Sequence, residues 1–290
     1  MTSRLYNRIA RVELAKHDPS VKPEKGGFFK YLPGVHIEKL HVKFSITKTI
    51  SKEPSQASIH IFNLNANSRS LLQGPLLFVR LQAGYDDSMK QLFAGDVIYA
   101  KSLRISDGWD SEIQIGDGDR SYRNARLNKS YRPGVSVKAV IADLTKSMGL
   151  KMPTNLANAT DLASQFASGH AVSGPSEQEM TRILKKHGYG WNMQDGKMQA
   201  LKYDQADTQD AVVISQDTGM IGIPELGQPG EKGEPPILKV QTLLDASLKP
   251  GGLISVNSKH LKGNYRVQQV TFNGDTHGPD WKTEIEAIPL

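Results

Sequence analysis

The sequence predicts a mainly β protein in which two β-barrels flank a small α+β unit. Three observations carry this expectation. Apolar residues alternate with period two from about Arg8 to Asp119. A helical period of 3.6 replaces the alternation from about Gly134 to Tyr203, and alternation returns from about Ala206 to Leu290. Finally, "WDSEIQI" (Trp109 to Ile115) and "WKTEIEA" (Trp281 to Ala287) share Trp, a hydroxyl residue, Glu and Ile at one offset, 281 − 109 = 172. Each segment closes a β-region, so the two regions read as related. The expected division is residues 1–126 for the first barrel with an N-terminal arm, 127–205 for the α+β unit and 206–290 for the second barrel.

Within the first region, Val42, Phe44, Ile46 and Ile50 point one way, and after a turn around Pro54, Ala57, Ile59 and Ile61 resume the pattern. Such alternation marks strands with one buried face and one wet face. "LLFVRLQAGYDD" alternates through Leu77, Val79, Leu81 and Ala83 and ends in a Gly-Tyr-Asp-Asp turn. "LFAGDVIYAKSLRIS" and "WDSEIQI" follow as strands separated by the turn dipeptide Asp107-Gly108. A short helix over Asn67–Gln73, capped by Asn or Ser and stopped at Gly74, interrupts the run.

The middle region contains two amphipathic helices and a hairpin. "VSVKAVIADLTKSMG" places Val137, Val140, Ile141, Leu144 and Met148 on one face and ends at Gly149. "SEQEMTRILKKHG" opens with Ser176 and Glu179 in capping-box spacing and brings Met180, Ile183 and Leu184 to one side. "YGWNMQDGKMQALKY" turns at Asp195-Gly196, with Tyr189, Trp191 and Met193 alternating on its first strand. In the last region "AVVIS", "ILKVQTLLD", "GLISVN", "GNYRVQQVTF" and "WKTEIEAI" read as strands. "GQPGEKGEP" holds Gly227, Gly230 and Gly233 but is too short for a collagen helix and reads as a loop.

Composition narrows the function. The 290 residues are 38% hydrophobic with a mean hydropathy of −0.43, enough apolar content for proper cores. Cysteine is absent, which removes disulfides and thiolate metal sites. The N-terminal "MTSRLYNRIARVELAKHDP" spreads its charges and lacks the apolar stretch of a secretory signal, and no apolar run suits a membrane anchor. The net charge of +6 is a mild excess that bears on association and names no nucleic-acid module.

No residue set reads as a catalytic, cofactor or metal site. Gly116-Asp117-Gly118-Asp119 follows a strand, but Ser121 stands where a dinucleotide fingerprint needs its third glycine, and the remaining EF-hand ligands are missing, so it reads as a turn. The eight histidines are scattered: His36 and His41 flank a strand start, and His187 suits a helix C-terminus. G-x-S-x-G is missing, and the carboxylates form no pair that the sequence can place across a cleft. The expectation is a protein without catalytic residues, cofactors or metals.

"FSITKTISKEPSQASIHIFNLN", "VRLQAGYDDSMKQLFAGDVIYA" and "WDSEIQIGDGDRSYRNARLNKSYRPGVSVKAVIADLTKSMGL" resemble, in that order, the baseplate hub proteins of tailed bacteriophages. The ending, from "DTGMIGIPE" through "LLDASLKPGGLISVNS" to "GNYRVQQVTFNGDTHGPDWKTEIEA", is similar to the C-terminal barrel of that family. The resemblance covers nearly all of the chain beyond its first thirty residues and extends to hubs of R-type pyocins and type VI secretion spikes. It implies two tail-tube-like barrels per chain and a homotrimeric ring that joins a hexameric tail tube to a trimeric central spike. It further implies contacts with the tape measure protein and other baseplate proteins, transient passage of DNA, assembly in the host cytoplasm and residence in the virion tail. Two competing readings are a tail-associated cell-wall hydrolase and a nucleic-acid-binding β-barrel protein. The first lacks an acid/base pair and the second lacks an aromatic stacking ladder, since only 7% of residues are aromatic.

Overall fold

The computed structural model describes residues 7–16, 34–50, 55–74, 77–85, 88–116, 125–194, 197–203, 205–207, 211–230 and 235–290. The turn at Pro54, Asp86-Asp87, Asp117 to Asp119, the Asp195-Gly196 turn and Gly233 lie outside the described residues. The first β-region contains β1 (Arg8–Lys16), β2 (Val35–Ile37), β3 (Val42–Thr49), β4 (Gln56–Phe62), β5 (Leu77–Tyr85), β6 (Lys90–Ile105) and β7 (Gly108–Gly116), with helix α1 (Ala66–Leu72) after β4. Asn65 caps α1 by accepting from the Ser68 amide at 2.8 Å.

β8 (Arg126–Tyr131), β9 (Val135–Ser136), α2 (Val137–Ser147), α3 (Thr154–Asn158), β10 (Gln165–Phe166), β11 (His170–Pro175), α4 (Ser176–Lys186), β12 (Tyr189–Gln194) and β13 (Lys197–Lys202) make up the insert. The last region is β14 (Val212–Ser215), β15 (Met220–Leu226), β16 (Leu238–Leu243), β17 (Leu253–Asn257), β18 (Lys262–Asp275) and β19 (Trp281–Pro289). The mainly β architecture with an α+β insert is therefore the one that the periodicity predicts.

The two β-regions are not separate bodies. All their strands belong to one 13-stranded sheet with the path β15-β16-β19-β18-β3-β4-β7-β6-β5-β1-β2, while β17 joins β18 and β14 joins β17. The path is open, and no closed barrel is present among the described residues. The merger occurs because β18 is long enough to serve two neighbours on one edge. Its first half pairs with β17 from Lys262 to Arg266, and its second half pairs with β3 from Gln269 to Asp275. One continuous apolar core accordingly runs from Ala10 through Phe44 and Phe272 to Ala287.

Along β3 the inward positions are Val42, Phe44, Ile46 and Lys48. Lys48 thus occupies a position where alternation alone would put an apolar residue. It is buried with its ammonium 5.8 Å from the Phe93 ring, its aliphatic stem supplying the apolar surface.

A second core is confined to the insert, where α2 and α4 pack Val140, Ile141, Leu144, Met180 and Leu184 against Trp191 and Met198 of the β12–β13 hairpin. The capping box at Ser176 and Glu179 does not form. Pro175 holds the cap position because β11 runs directly into α4, and Ser176 becomes the first helical residue. Its hydroxyl accepts from Ser147 at 2.8 Å, and its amide donates to Ala125 at 2.9 Å. The insert is anchored beside the shared strand. Asn192 and Gln194 donate to the Thr49 carbonyl at 2.6 and 3.2 Å, and Arg266 donates to the carbonyls of Lys202 and Gln205.

Trp109 and Trp281 open the last strands of their regions, yet they differ in burial. Trp281 is 2% exposed, lying 5.7 Å edge-on from Phe44 and 6.5 Å from Tyr85 of the other region. Trp109 is only partly buried and lies under the Arg69 guanidinium at 4.0 Å. Trp281→Ala should cost ~3–5 kcal/mol of unfolding free energy, whereas Trp109→Ala should cost about 1 kcal/mol, the scale of a surface cation–π contact. Denaturant titration of both variants checks the order; equal losses would show that the two rings carry equal packing.

Candidate assembly interface

The described residues offer no group of three or more His, Cys, Asp or Glu arranged to hold a metal. His36 is exposed on β2, His187 sits at the C-cap of α4, and Gly116 ends β7 against Gly95, so none of the three joins a cluster of chemical groups. His41 has a structural role. Its Nε2 lies 2.8 Å from Asp275 Oδ1, and its ring stacks on Phe62 at 4.3 Å.

The most elaborate polar arrangement is the joint between the two β-regions. β3 and β18 run antiparallel with Phe272 opposite Ile46 and Gly274 opposite Phe44 on the core side. A Cβ at Gly274 would come within 2.1 Å of the Phe44 ring, so a glycine is required for the ring to lie over the backbone. At the open end, the turn after β18 locks onto the start of β3. Val42 donates to Thr276 Oγ1 at 3.0 Å, and Thr276 donates its amide to the Val42 carbonyl at 3.0 Å. Asp275 Oδ1 accepts from the amides of His277 and Gly278 at 2.9 and 2.7 Å, besides facing His41. Burial works against the charge on Asp275, but the His277 amide, His41 and the Gly278 amide outweigh it and hold the carboxyl below its ordinary pKa.

The register of the two regions matches at their central strands. In β6–β7, Ile113 faces Ala100, Gln114 faces Tyr99 and Ile115 faces Val97, leaving Ile98 as a bulge. In β18–β19, Ile285 faces Val270, Glu286 faces Gln269 and Ala287 faces Val267, leaving Gln268 as a bulge. Both bulges therefore fall at one place, between the fifth and sixth residues after the tryptophan. The correspondence extends outward. Ile59 faces Ile113 as Val240 faces Ile285, and Val79 faces Gly95 as Ile254 faces Tyr265. One six-strand module, β3-β4-β7-β6-β5-β1, thus recurs as β15-β16-β19-β18-β17-β14. Strand direction departs at one pairing, since β1 is antiparallel to β5 and β14 is parallel to β17, and two bulges lack a counterpart, between Leu81 and Gln82 in β5–β6 and between Ile221 and Glu225 in β15–β16.

The sequence profile of the family described as baseplate hub gp41 matches residues 29–287. The chain belongs to the baseplate hub gp41 family. Among solved structures, this hub chain is similar to a tail protein from Neisseria meningitidis MC58, at 9% identity and a TM-score of 0.61, covering 98% of this chain and 97% of that one. It is also similar to the 43 kDa tail protein of prophage MuSo2 from Shewanella oneidensis, at 8% identity and a TM-score of 0.62, covering 96% of each. A type VI secretion component of E. coli, described as structurally similar to bacteriophage T4 tail proteins, matches at 14% identity and a TM-score of 0.59 over 86% of this chain and 73% of that one. At these identities the likeness establishes a shared fold. No curated protein matches the sequence.

Sequence reasoning on the hub missed the joint, because strand pairing between residues more than two hundred positions apart leaves no local pattern. It also missed β15, whose "MIGIPEL" holds a glycine and a proline inside a bulge between Ile221 and Glu225. Two signals were available: the doublet Gln268-Gln269 and the run Val97-Ile98-Tyr99, each of which breaks strict alternation inside a long strand.

The sign of the acid response at the joint follows from Asp275. Its folded pKa lies below the unfolded value, so its contribution is present above about pH 4 and fades as pH falls through the lower folded value. Asp275→Asn should lower stability at neutral pH, and the wild type's advantage should narrow steadily in acid. Unfolding free energies measured from neutral to acid pH check this, and a constant gap would remove Asp275 ionisation from the joint.

Proposed function

We propose that the chain is a structural hub of a phage tail baseplate, three copies closing into a ring that joins a hexameric tail tube to a trimeric central spike. The observation that carries this reading is the doubled module. Two modules of matching register per chain give six around a ring of three, so the ring offers approximate sixfold symmetry to a tube while the insert and the β1–β14 difference keep true threefold symmetry for a spike. Tape measure and other baseplate proteins would meet the same ring.

The wet face of the shared sheet is suited to line the channel through which DNA passes. It carries Ser45, Thr47, Ser58, Gln114, Thr271 and Asn273, with charges paired along it: Lys101 with Glu112 at 2.9 Å, Lys239 with Glu286 at 3.2 Å and Lys282 with Glu284 at 2.9 Å. The bond from Lys101 holds Glu112 below its ordinary pKa, which keeps that carboxylate charged. With Asp110, Asp275 and Glu225 added, acidic groups outnumber lysines here, so phosphates are not retained. The basic excess lies elsewhere. Residues 127–205 hold ten lysines and arginines against six aspartates and glutamates, four of the chain's six excess positive charges. A polar lining with an excess of carboxylates lets a polyanion slide and does not favour the nucleic-acid-binding alternative.

Light scattering of the purified chain, alone and with tube or spike protein, should give a three-chain species, and cryo-electron microscopy of the tail tip should place three copies on the axis. Six copies per ring, a position off the axis, or a stable monomer that binds neither partner would overturn the reading. A zymogram on peptidoglycan should show no clearing; clearing would favour the hydrolase.

A further inference from the structure

Of the strand edges that lack a strand partner among the described residues, which include those of β2 and β14, two carry most of the exposed apolar side chains. One is the Val97–Ile105 half of β6, which pairs with β7 on one side only, β5 reaching no further than Asp96. The other is the outer edge of β15, which pairs with β16 alone. Exposed apolar side chains gather on these two edges. On β6 they are Ile98, Tyr99, Leu103 and Ile105, and on β15 they are Ile221, Ile223 and Leu226, seven of the twelve large hydrophobic residues exposed among the described ones. Ile223 is 67% exposed and Ile98 56%. An unpaired, apolar edge invites another strand.

The doubled module identifies which strand fits. Within the chain, the counterpart of the free β6 half is the second half of β18, and the counterpart of β15 is β3. Those two counterparts are already paired with each other. We propose that the free β6 half of one copy pairs with β15 of a second copy in the manner that β18 pairs with β3 inside each copy. This deepens the ring reading above and rests on it.

The register follows from equivalent positions. Tyr99 and Gln269 occupy the same place relative to their bulges, which carries Phe272 onto Ser102. Ala57 faces Ile115 as Leu238 faces Ala287, which carries Ile46, the partner of Ala57, onto Leu226, the partner of Leu238. Hence the pair Phe272–Ile46 becomes Ser102 with Leu226 of the next copy. Asn273–Ser45 becomes Leu103 with Glu225, and Asp275–Lys43 becomes Ile105 with Ile221. Glu225 then lies diagonal to Lys101, a favourable cross-strand placement. Pro224, which has no amide to donate, falls inside the β15 bulge and outside these pairs. Each copy offers one edge of each kind, so the contact is head-to-tail and closes into a ring when the rotations add up. Three contacts between copies would alternate with three inside them.

The absence of cysteine makes the test clean. The double variant Ser102→Cys with Leu226→Cys places thiols on facing residues within disulfide reach. On oxidation it should form chain-to-chain links ending at a covalently closed three-chain species, and the link should be lost in Ser102→Cys with Glu225→Cys, which is one residue out of register. In the unmodified chain, amide exchange at Lys101, Ser102 and Leu226 should slow on assembly. A trimer by light scattering with neither link nor slowed exchange would overturn this joint while leaving the ring intact. A link that extends into open ladders would keep the joint and overturn the ring. Failure to link or associate at any concentration, with partners present, would overturn both.

Discussion

The architecture depends on one strand with three neighbours. Over its 14 residues β18 pairs with β19 along one edge and divides the other between β17 and β3. The division falls at Gln268, where the bulge lets the strand bend and twist between partners. Without that bend, a strand flat enough to continue one sheet could not also enter the next. The apolar core is continuous for the same reason: Phe272 and Ile46, adjacent across the joint, are both almost fully buried. The insert then secures the point of division, since Arg266 and Thr49 are where it attaches.

Much of this was legible in the sequence, and the limits have physical causes. Period-two runs located β3, β4, β5, β16 and β19 because one face of each is buried and the other wet. The helices α2 and α4 were legible through their apolar stripes. Ser176 misled because a capping-box spacing says nothing about a strand running directly into a helix. Lys48 was passed over because its stem, and not its charge, fills the inward position. The likeness of Trp109 and Trp281 pointed to the doubled module through a handful of letters. The register behind it is set by backbone pairing, which different side chains can satisfy equally well; Ile98 and Gln268 have nothing in common except their place in a bulge.

The site was less legible than the fold, because an assembly joint leaves no chemical signature in the sequence. Catalytic centres leave sets of residue types at fixed spacing, whereas a joint between sheets uses main-chain groups that every residue carries. What remains visible in side chains is secondary: Gly274 making room for Phe44, Thr276 and Asp275 closing the end of the joint, and ion pairs along the wet face.

The two tryptophans now live under different constraints. Trp281 is fixed by rings contributed from the other module, Phe44 and Tyr85, so a change there must be accommodated across both halves of the chain at once. Trp109 answers mainly to a local neighbour, Arg69, and to the Asn63 side chain that accepts from its amide at 3.0 Å. The two equivalent positions therefore tolerate substitution unequally. A replacement at Trp281 must be absorbed by a core that both modules share, whereas one at Trp109 disturbs only the partly buried ring under Arg69.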